Sequence, residues 1–272
     1  MPGSLKGKTL FISGASRGIG REIALRAARD GANVVIASKS ATQNGVLEGT
    51  IHSVAAEIEA AGGRALPVEM DVRHDAAIDA AVARAVEVFG GLDILINNAS
   101  AINLSRLPDL PMKRFDLMHQ VNVRGTFALT KACYPHLARA ANPHVLVLSP
   151  PLNLVPQWFG DHCGYTMSKY GMSMCVLGLA EEFRAKGIAV NALWPATLIF
   201  TAAMKHVGAE MEKCRHPRIM ADAAHAILTR DAAGCTGNFF IDEEVLRAEG
   251  ARDLAQYSMV DGAALEKDLF VI

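Results

Sequence analysis

Short, continuous apolar runs alternate along the chain with longer segments in which apolar residues recur at helical spacing. The apolar runs predict strands at residues 9–13, 33–37, 65–70, 94–96, 144–148, 188–193 and 239–242. The periodic segments predict helices at residues 21–29, 51–61, 76–89, 115–134 and 164–183, several of them ended by glycine. Strand and helix therefore alternate through most of the sequence.

The predicted strands are apolar along their whole length rather than at every second residue. Such strands are buried on both faces, which is typical of a parallel sheet covered by helices on each side. The sequence thus predicts an α/β fold, a Rossmann-type doubly wound parallel β-sheet flanked by helices, built as one domain over residues 1–272. A polar stretch over residues 38–49 interrupts the pattern, and the more polar tail after about residue 247 is expected to pack on the surface.

A glycine-rich turn joins the first predicted strand to the first predicted helix. Small residues let the backbone approach a pyrophosphate, and the free N–H groups at a helix start attract its charge. The strand before and the helix after favour dinucleotide binding, while a tight turn without a ligand is the alternative. The residues expected to line the pyrophosphate are Gly14, Ser16, Arg17, Gly18, Ile19 and Gly20.

The choice of dinucleotide is predicted from the end of the second strand, where proteins that bind NAD carry an acid for the ribose. This sequence has Ser38 and Lys39 there instead, and Arg17 adds positive charge nearby. These residues favour a 2′-phosphate and hence NADP, with NAD still possible. The alternative is that Lys39 is an ordinary solvated lysine.

Tyr165 and Lys169 lie one turn apart on one face of the predicted helix 164–183. An ammonium close to a phenol favours the phenolate and is expected to lower the pKa of the tyrosine toward neutrality. A tyrosine of this kind can donate a proton to a ketone oxygen as hydride arrives, or accept one from an alcohol. A tyrosine and a lysine at this spacing occur by chance in many helices. The evidence for a catalytic role therefore comes from their position after the fifth strand of a nucleotide-binding sheet.

Together these motifs resemble the short-chain dehydrogenase/reductase family. The matching segments are Gly14-x-x-x-Gly18-Ile19-Gly20, Asp71-Val72, Asn97-Asn98-Ala99, Asn122 and Tyr165-x-x-x-Lys169. Segments at residues 149–153, 192–195 and 236–239 resemble one branch of that family, in which some members carry a C-terminal sterol-carrier domain. The resemblance covers residues 8 to about 200 and implies an NAD(P)-dependent oxidoreductase acting on carbonyl or alcohol substrates.

The resemblance also implies a role for each matching residue. Tyr165 would be the acid/base, Lys169 would hold the nicotinamide ribose and polarise Tyr165, and Asn122 would anchor a water that relays protons to Lys169. The remaining residues would contact the cofactor: Asp71 with Val72 at the adenine, Asn98 and Ala99 at the adenosine ribose, and Pro195 and Thr197 at the nicotinamide. For Asp71 and Asn98, turn formation at a strand end is the alternative.

One element of the family pattern is missing. A serine after the fifth strand usually donates a hydrogen bond to the substrate oxygen, but the usual spacing to the tyrosine places Leu152 there, and alignment of the strand ends places Pro150 there. Neither side chain offers a donor. Ser149 and Asn153 are candidate substitutes, and a site with neither is the third possibility. Loss of one such donor lowers a rate by roughly 100–1000-fold, so this departure bears on activity and not on cofactor binding.

For several nearby side chains the sequence leaves two roles open. Trp158, Phe159 and Met204 could form an apolar substrate wall, or serve equally well as core or oligomer contacts. His162 lies just before Tyr165 and could line the substrate site, although a lone histidine is more often a surface or packing residue.

The composition argues against several other classes of protein. With 27 basic and 28 acidic residues and a net charge of −1, the chain has no broad basic face for nucleic acid. Its five cysteines are scattered without a C-x-x-C pair, which predicts reduced thiols and no metal site. Without a run of about 18 apolar residues we expect no membrane insertion, and without a signal peptide we expect a cytoplasmic protein.

These observations predict an NADP-dependent reductase or dehydrogenase for a fairly apolar small-molecule carbonyl or alcohol. A cofactor-binding sensor or partner-binding protein with little catalysis is the alternative, motivated by the missing serine, and isomerisation or dehydration on the same fold is a third hypothesis. The resemblance implies a homodimer or homotetramer formed through the long helices 115–134 and 164–183. The substrate depends on the shape of loops, which one sequence does not reveal.

Overall fold

A parallel β-sheet with helices on both faces organises the protein. The structure, a computed structural model, describes residues 3–42 and 49–271. Its strands are β1 (Thr9–Ser13), β2 (Asn33–Ser38), β3 (Arg64–Glu69), β4 (Ile94–Asn97), β5 (His144–Val147), β6 (Ala189–Trp194) and β7 (Phe239–Ile241). They pair in the order β3-β2-β1-β4-β5-β6-β7, and every neighbouring pair is parallel. The predicted doubly wound α/β fold is confirmed.

The helices follow the strands in alternation. In the described residues they are α1 (Gly18–Ala28), α2 (Ile51–Ala60), α3 (Asp75–Phe89), α4 (Met112–Met118), α5 (Gly125–Leu137), α6 (Gln157–Gly160), α7 (Cys163–Glu182), α8 (Ala202–His206), α9 (Arg218–Leu228) and α10 (Asp242–Ala248). The pattern predicted α1, α2, α3 and α7 to within a few residues, but it predicted nothing for α8 to α10. The middle of the predicted polar stretch, residues 43–48, lies outside the described residues.

The two faces of the sheet bury two separate apolar cores. Side chains alternate along a strand, so Leu10 and Ile12 of β1 point to one face and Phe11 points to the other. The first core packs the sheet against α1, α2, α9 and α10, and the second packs it against α3, α5 and α7. Because both faces are covered, the strands can be apolar along their whole length, as the sequence pattern required.

The order of the strands reverses between β1 and β4. β1 leads to β2 and β3 on one side, whereas β4 leads to β5, β6 and β7 on the other. The connections therefore diverge at the carboxyl ends of β1 and β4 and leave a crevice there, which is where ligands bind in folds of this type. The glycine turn after β1 and Asn98 after β4 both lie at this point.

The predicted continuous helix over residues 115–134 is interrupted. Its first part is α4, its last part is α5, and His119–Arg124 form a π-helical turn between them. Asn122 lies in this turn and is completely buried. Its Oδ1 accepts from the Ala101 N–H at 2.7 Å, and its Nδ2 donates to the Ala101 carbonyl oxygen at 2.9 Å. The turn departs from helical spacing where a buried side chain holds a neighbouring loop, and single π turns within helices are frequent at functional sites.

Most of the tail after α10 is exposed or half-buried, as expected, but three of its apolar side chains are buried. Leu254, Tyr257 and Phe270 are buried, with exposed fractions of 4%, 8% and 2%. Residues 266–270, which we call the strap, run beside the loop that follows β6. The tail is polar overall, yet these few apolar side chains find partners far away in sequence, and the local pattern does not show such partners.

Within residues 3–42 and 49–271, no helix is both long enough and apolar enough to cross a bilayer.

Candidate active site

The turn between β1 and α1 brings the backbone to the edge of the crevice. Gly14 and Gly18 have φ angles of 69° and 58°, a conformation that glycine adopts without strain. A Cβ at Gly14 would lie 2.9 Å from the Cα of Ala99, so the two strand ends can approach only because that side chain is missing. Since α1 begins at Gly18, its unpaired N–H groups lie at the same place.

Asn98 ties β4 to this turn. Its Nδ2 donates to the carbonyl oxygens of Ser13 and Gly14 at 2.9 and 3.0 Å, and the Ser13 Oγ accepts from the N–H groups of Asn98 and Ala99 at 3.1 Å. A Cβ at Gly20 would lie 2.5 Å from the same Nδ2. Gly20 and Asn98 therefore shape the glycine turn, as the turn-forming alternative for Asn98 proposed, and contact of Asn98 with a ribose stays a prediction.

A cleft of about 1140 Å³ runs along the carboxyl ends of the strands. Most residues predicted to bind the cofactor line it: Gly14, Ser16, Arg17, Gly18, Ile19, Ser38, Lys39, Asp71, Val72, Asn98 and Ala99. Gly20, Lys169, Pro195 and Thr197 are not among its lining residues. The sequence motifs thus converge on one wall, although they lie up to 85 positions apart along the chain.

Positive charge gathers at the end of the cleft formed by β2 and β3. Arg73 donates to Asp71 Oδ2 from Nε at 3.0 Å and from Nη2 at 2.6 Å. These hydrogen bonds lower the pKa of Asp71, and Lys39 lowers it further. Arg17 Nη2 donates to the Gly49 carbonyl oxygen at 2.9 Å. Arg73 also lines the cleft, and it was not among the predicted residues, although it lies only two positions after Asp71.

Tyr165 and Lys169 lie on the inner face of α7, with exposed fractions of only 6% and 3%. Lys169 Nζ donates to the Leu148 carbonyl oxygen at 2.6 Å and approaches the Met172 Sδ at 3.4 Å. It also stands 4.9 Å from the centroid of the Trp194 ring. A carbonyl oxygen and a π face both favour an ammonium. The predicted pair is therefore placed at the end of β5.

The electrostatics of the pair differ from the expectation. Burial raises the pKa of Tyr165, and the carboxyl of Asp268 raises it further. Burial lowers the pKa of Lys169 to about 7, although Asp268 opposes this shift. The expected lowering of the tyrosine pKa is wrong for this structure, because desolvation of the phenolate is the largest effect. Tyr165 consequently keeps its proton at neutral pH.

Asn122 connects this pair to the cleft. Beyond its two bonds to Ala101, its Nδ2 donates to the Ser168 Oγ at 3.0 Å, and that hydroxyl donates to the Tyr165 carbonyl oxygen at 2.8 Å. Ala101 lines the cleft. The Asn122 side chain therefore fixes the position of α7 relative to the cleft wall, and a relay water at Asn122 stays a prediction.

The loop after β6 is held from two sides. Asp242 Oδ1 accepts from the N–H groups of Ala196 at 2.8 Å and Glu243 at 2.7 Å, and the strap donates from Asp268 N–H to the Ala196 carbonyl oxygen at 3.1 Å. Burial raises the pKa of Asp242 to about 6. The Thr197 Oγ1 is buried and has no hydrogen-bond partner within the described residues. An unpaired buried hydroxyl is costly, which fits the predicted place of Thr197 beside a nicotinamide.

The structure places both candidate substitutes for the missing serine. Ser149 is completely buried, and its Oγ has no hydrogen-bond partner in the part of the chain that the structure describes. Asn153 belongs to a turn, since its Oδ1 accepts from the Val155 N–H at 3.0 Å and its carbonyl oxygen accepts from the Tyr170 hydroxyl at 2.5 Å. Neither side chain is shown donating toward Tyr165, and Ser149 keeps its catalytic role only as a prediction.

Aromatic side chains close over Tyr165. The ring centroid of Phe270 lies 5.3 Å from Tyr170, 5.8 Å from Trp158, 5.9 Å from Trp194 and 6.4 Å from Tyr165. Such distances are typical of favourable aromatic pairs. Trp158 therefore belongs to an aromatic cluster whose centre, Phe270, was not anticipated, and its place in a substrate wall stays a prediction.

The other predicted wall residues divide into two groups. Phe159 packs edge-on to Tyr170 at 5.4 Å and belongs to the same apolar cluster. Met204 lies on α8, whose neighbouring residues 202, 203 and 205 line the cleft. His162 Nδ1 lies 2.8 Å from the Leu104 carbonyl oxygen, a contact that holds the loop after β4 against the start of α7. His162 thus has a packing role in this structure.

Sequence reasoning missed the contribution of the strap and of Asp242. Asp242 directly follows β7, so an acid at the carboxyl edge of the sheet was a usable signal. Asp268 and Phe270 have no such signal, because they follow a long irregular segment.

These residues fit a nicotinamide dinucleotide. The glycine backbone and the start of α1 form a part of the cleft wall that suits a pyrophosphate, and Arg17, Lys39 and Arg73 line the same cleft. The buried Thr197 hydroxyl has no hydrogen-bond partner within the described residues, and a polar group of a ligand would satisfy it. Among the described residues, no group of three or more His, Cys, Asp or Glu side chains is placed to hold a metal ion.

Comparison with known proteins gives the same result. The profile of the short chain dehydrogenase family matches residues 8–212. Hydroxysteroid dehydrogenase-like protein 2 of Xenopus tropicalis is 56% identical over 271 residues, which cover 99% of this chain and 64% of that protein. This chain therefore spans less than two thirds of the length of that relative. The branch that the shorter motifs resemble is confirmed.

Solved structures agree with the sequence relatives. The crystal structure of a proposed dehydrogenase from Xanthomonas campestris has a TM-score of 0.97 at 58% identity, covering 99% of each chain. That of a short chain dehydrogenase from Mycobacterium thermoresistibile has a TM-score of 0.94 at 50% identity, covering 99% of this chain and 96% of the other.

Proposed function

Because this chain belongs to the short-chain dehydrogenase/reductase family, we propose that it interconverts an apolar carbonyl compound and its alcohol with NADP as the preferred cofactor. Tyr165 is the acid/base and Lys169 its partner. The observation that carries the proposal is this buried pair, which Asn122 joins through Ala101 to the wall of the dinucleotide cleft.

The proton chemistry follows from the two pKa values. When bound, the nicotinamide supplies the hydride for reduction or accepts it for oxidation. In reduction, Tyr165 donates its phenolic proton to the substrate oxygen, so the carbonyl gains one hydride and one proton and becomes an alcohol. The raised pKa of Tyr165 keeps this proton on the phenol until negative charge develops on the substrate. Lys169, whose burial lowers its pKa to about 7, can restore the proton at neutral pH.

The charge distribution supports NADP over NAD. No carboxylate follows β2 at the position that would bind a free ribose hydroxyl, and Lys39 occupies this place. Asp71, which lines the cleft and interacts electrostatically with Lys39, is already paired with Arg73. A 2′-phosphate would therefore meet net positive charge.

The aromatic cluster supports an apolar substrate. Trp158, Phe159 and Phe270 pack in one apolar cluster with Tyr165. A planar or fused-ring carbonyl compound suits such a wall better than a charged one. The relative from Xenopus tropicalis is named for hydroxysteroids, and we propose a substrate of comparable apolarity without naming one.

Fluorescence titration with NADPH and NADH tests the cofactor assignment. Lys39→Asp should weaken NADPH binding by roughly 10–100-fold, because a repulsive charge replaces an attractive one at the phosphate, and should change NADH binding only a few-fold. Lys186→Asp, an exposed lysine in the turn after α7, makes the same charge change away from the cleft. Equal loss in both variants, or no binding of either cofactor, would contradict the assignment.

A second function is favoured by the missing serine donor. A protein that binds NADP but turns over slowly could act as a redox sensor or as a partner-binding module. It would bind NADPH tightly and reduce none of a broad panel of carbonyl compounds. Turnover of any of them that depends on Tyr165 excludes this alternative.

We propose a homodimer or homotetramer because two helices expose apolar side chains on their outer faces. Phe127 on α5 and Met167, Met174 and Leu177 on α7 have exposed fractions of 53%, 47%, 59% and 55%. Apolar patches of this size commonly mark interfaces. Sedimentation as a monomer at micromolar concentration would refute the proposal.

A further inference from the structure

The loop after β6, residues 195–201, connects the surroundings of Lys169 with the wall of the cleft. It begins directly after Trp194, whose ring centroid lies 4.9 Å from the Lys169 Nζ. It ends at Thr201, which lines the cleft beside the glycine turn, since a Cβ at Gly18 would lie 3.4 Å from the Thr201 Cγ2. The loop therefore runs from the side of the buried lysine to the edge of the cleft.

The strap holds one edge of this loop through its backbone. Leu198 N–H donates to the Glu266 carbonyl oxygen at 2.9 Å, and Asp268 N–H donates to that of Ala196 at 3.1 Å. An antiparallel bridge joins Thr197 to the strap between these two bonds. All these contacts use main-chain atoms, so they fix the edge of the loop without a contribution from side chains.

The start of the loop is held by a side chain instead of a strand. Trp194 lies opposite Ile241, and the pairing of β6 with β7 ends with these two residues. Pro195 follows and has no N–H to donate. The next N–H, that of Ala196, donates at 2.8 Å to the Oδ1 of Asp242, which is the residue directly after β7. The carboxyl therefore continues the hydrogen bonding where the backbone ladder has ended.

Asp242 is firmly oriented for this contact. It is completely buried, and the same Oδ1 accepts from the Glu243 N–H at 2.7 Å at the start of α10. Its Oδ2 is buried without a hydrogen-bond partner within the described residues. Burial of a carboxyl with an unpaired oxygen costs free energy. Packing alone therefore does not account for an acid at this position.

We propose that Asp242 is a positioning residue for the nicotinamide half of the cofactor: by accepting from the Ala196 N–H, its carboxyl fixes the path of the loop after β6. The proposal rests on the proposed NADP cofactor and on the predicted place of Pro195 and Thr197 beside its nicotinamide. Asp242 acts through the backbone of the loop and is not a catalytic residue. Loss of its hydrogen bond should affect the nicotinamide half, while the cleft residues after β1, β2 and β3 still hold the adenosine half.

A fragment of the cofactor separates the two halves. NADPH contains both, whereas adenosine 2′,5′-bisphosphate contains only the half with the 2′-phosphate. Asp242→Ala removes the acceptor. In calorimetric titrations it should weaken NADPH binding by about 10-fold, as expected for one lost hydrogen bond, and change binding of the bisphosphate by less than about 2-fold. Asp242→Asn keeps an oxygen that accepts from the Ala196 N–H and should bind NADPH within about 3-fold of wild type.

Two further variants complete the comparison. Glu244→Ala removes an exposed acid from the same first turn of α10 and should leave both affinities unchanged. Asp242→Ser, whose oxygen lies one bond closer to the backbone and no longer reaches Ala196, should show the same selective loss as Asp242→Ala. It takes the place of Asp242→Ala if that variant does not fold. A loss of NADPH affinity in Glu244→Ala as large as in Asp242→Ala would overturn the proposal.

The outcomes distinguish this proposal from the cofactor assignment. Wild-type NADPH affinity in a folded Asp242→Ala protein overturns the role of Asp242 and leaves the assignment standing. Equal losses for NADPH and the bisphosphate overturn it as well, since Asp242 would then support the whole cleft. Equal losses in Asp242→Asn and Asp242→Ala overturn the role of the acceptor oxygen. A wild-type protein that binds neither NADPH nor NADH overturns the assignment and the proposal together, and one that binds NADH alone is tested in the same way with NADH and ADP.

Hydrogen exchange tests the positioning without any cofactor. In Asp242→Ala the Ala196 amide should exchange about 10-fold faster than in wild type, because it has lost its acceptor. The Ala192 amide of β6, which donates to the Asn238 carbonyl oxygen at 2.8 Å, should keep its rate and shows that the sheet is intact. Unchanged exchange at Ala196 would overturn the proposal even if NADPH bound more weakly.

Discussion

The cofactor side of the site is formed by short motifs at the ends of neighbouring strands, whereas the substrate side is formed by segments that lie far apart along the chain. On the cofactor side, Gly14 and Lys39 directly follow a strand, Asp71 lies two residues after one, and all three line one cleft. On the substrate side, Trp158, Tyr165 and Phe270 meet through a loop, a helix and the strap. The first side is built mainly from backbone, and the second from side chains.

This difference explains why the two sides differ in what a substitution does. The cofactor side relies on backbone N–H groups and glycine conformations, which would serve any dinucleotide. The residues that supply them therefore tolerate little substitution. Side chains on the substrate side set the shape and the proton chemistry, and each can be altered without disturbing the cleft. Substitutions on the substrate side should therefore change turnover or local stability while leaving NADPH affinity within a few-fold.

The largest expected effect is that of Tyr165→Phe. Removal of the phenolic proton should lower kcat by about 1000-fold, since general acid catalysis contributes roughly 100–10,000-fold. The NADPH affinity should stay within a few-fold of wild type. Tyr134→Phe, which changes a tyrosine that packs against Phe183 on the outer helices, is the control. Retained turnover in Tyr165→Phe would remove the acid/base assignment, and loss of NADPH binding would show that the two sides are not separable.

The next effect concerns the attachment of the strap. Phe270→Ala removes a side chain that packs among aromatic rings and has an exposed fraction of 2%. This change should destabilise the strap by about 3 kcal/mol. Because the strap backbone pairs with the loop after β6 and not with a strand of the sheet, we expect it to detach locally rather than unfold the sheet. Hydrogen exchange at the Leu198 and Asp268 amides should become about 100-fold faster, while the amides of β1 and β4 keep their rates.

The Phe270→Ala experiment has a control variant and a result that would contradict it. Val260→Ala shortens a partly exposed apolar side chain of the same tail and should not change exchange at the strap. If Phe270→Ala accelerates exchange in β1 and β4 equally, the strap and the cleft belong to one cooperative unit, and the contrast between the two sides fails.

The same contrast governs what the sequence could predict. Apolar runs and helical spacing depend on residues close in sequence, so the sheet, α1 to α3 and α7 were anticipated. The glycine turn and the Tyr165–Lys169 pair are equally local. The π turn around Asn122 was missed because its cause is a hydrogen bond to Ala101, 21 residues earlier. The strap was missed for the same reason, since Phe270 meets partners more than 70 residues away in sequence.

Electrostatics were the least predictable part of the site. The spacing of Tyr165 and Lys169 predicted a lowered tyrosine pKa, but burial raises it. Desolvation depends on everything packed around a group, including Phe270 and Trp194, and not on the charge one helical turn away. Residue types in a motif therefore identify the chemistry, while the protonation states require the packed structure.

The smallest expected effect lies in the scaffold under the cofactor side. Asp30, which follows α1, accepts from the Leu5 N–H and contacts the His225 Nε2, both at 2.8 Å, so it ties α1 to α9. Burial opposes its ionisation, yet hydrogen bonds from Leu5, His225 and Arg26 outweigh burial and lower its pKa from 3.8 to about 2. A depressed carboxyl pKa stabilises the folded state above pH 3.8, and this contribution is lost as the pH falls toward 2.

Asp30→Asn should therefore reduce the free energy of unfolding by about 1 kcal/mol at pH 7, after allowance for solvent screening. The difference from wild type, measured by urea denaturation, should shrink as the pH is lowered through that interval. Asp79→Asn, an exposed change on α3, should have no such effect, and a pH-independent loss in Asp30→Asn would mean that shape rather than charge holds α1 against α9.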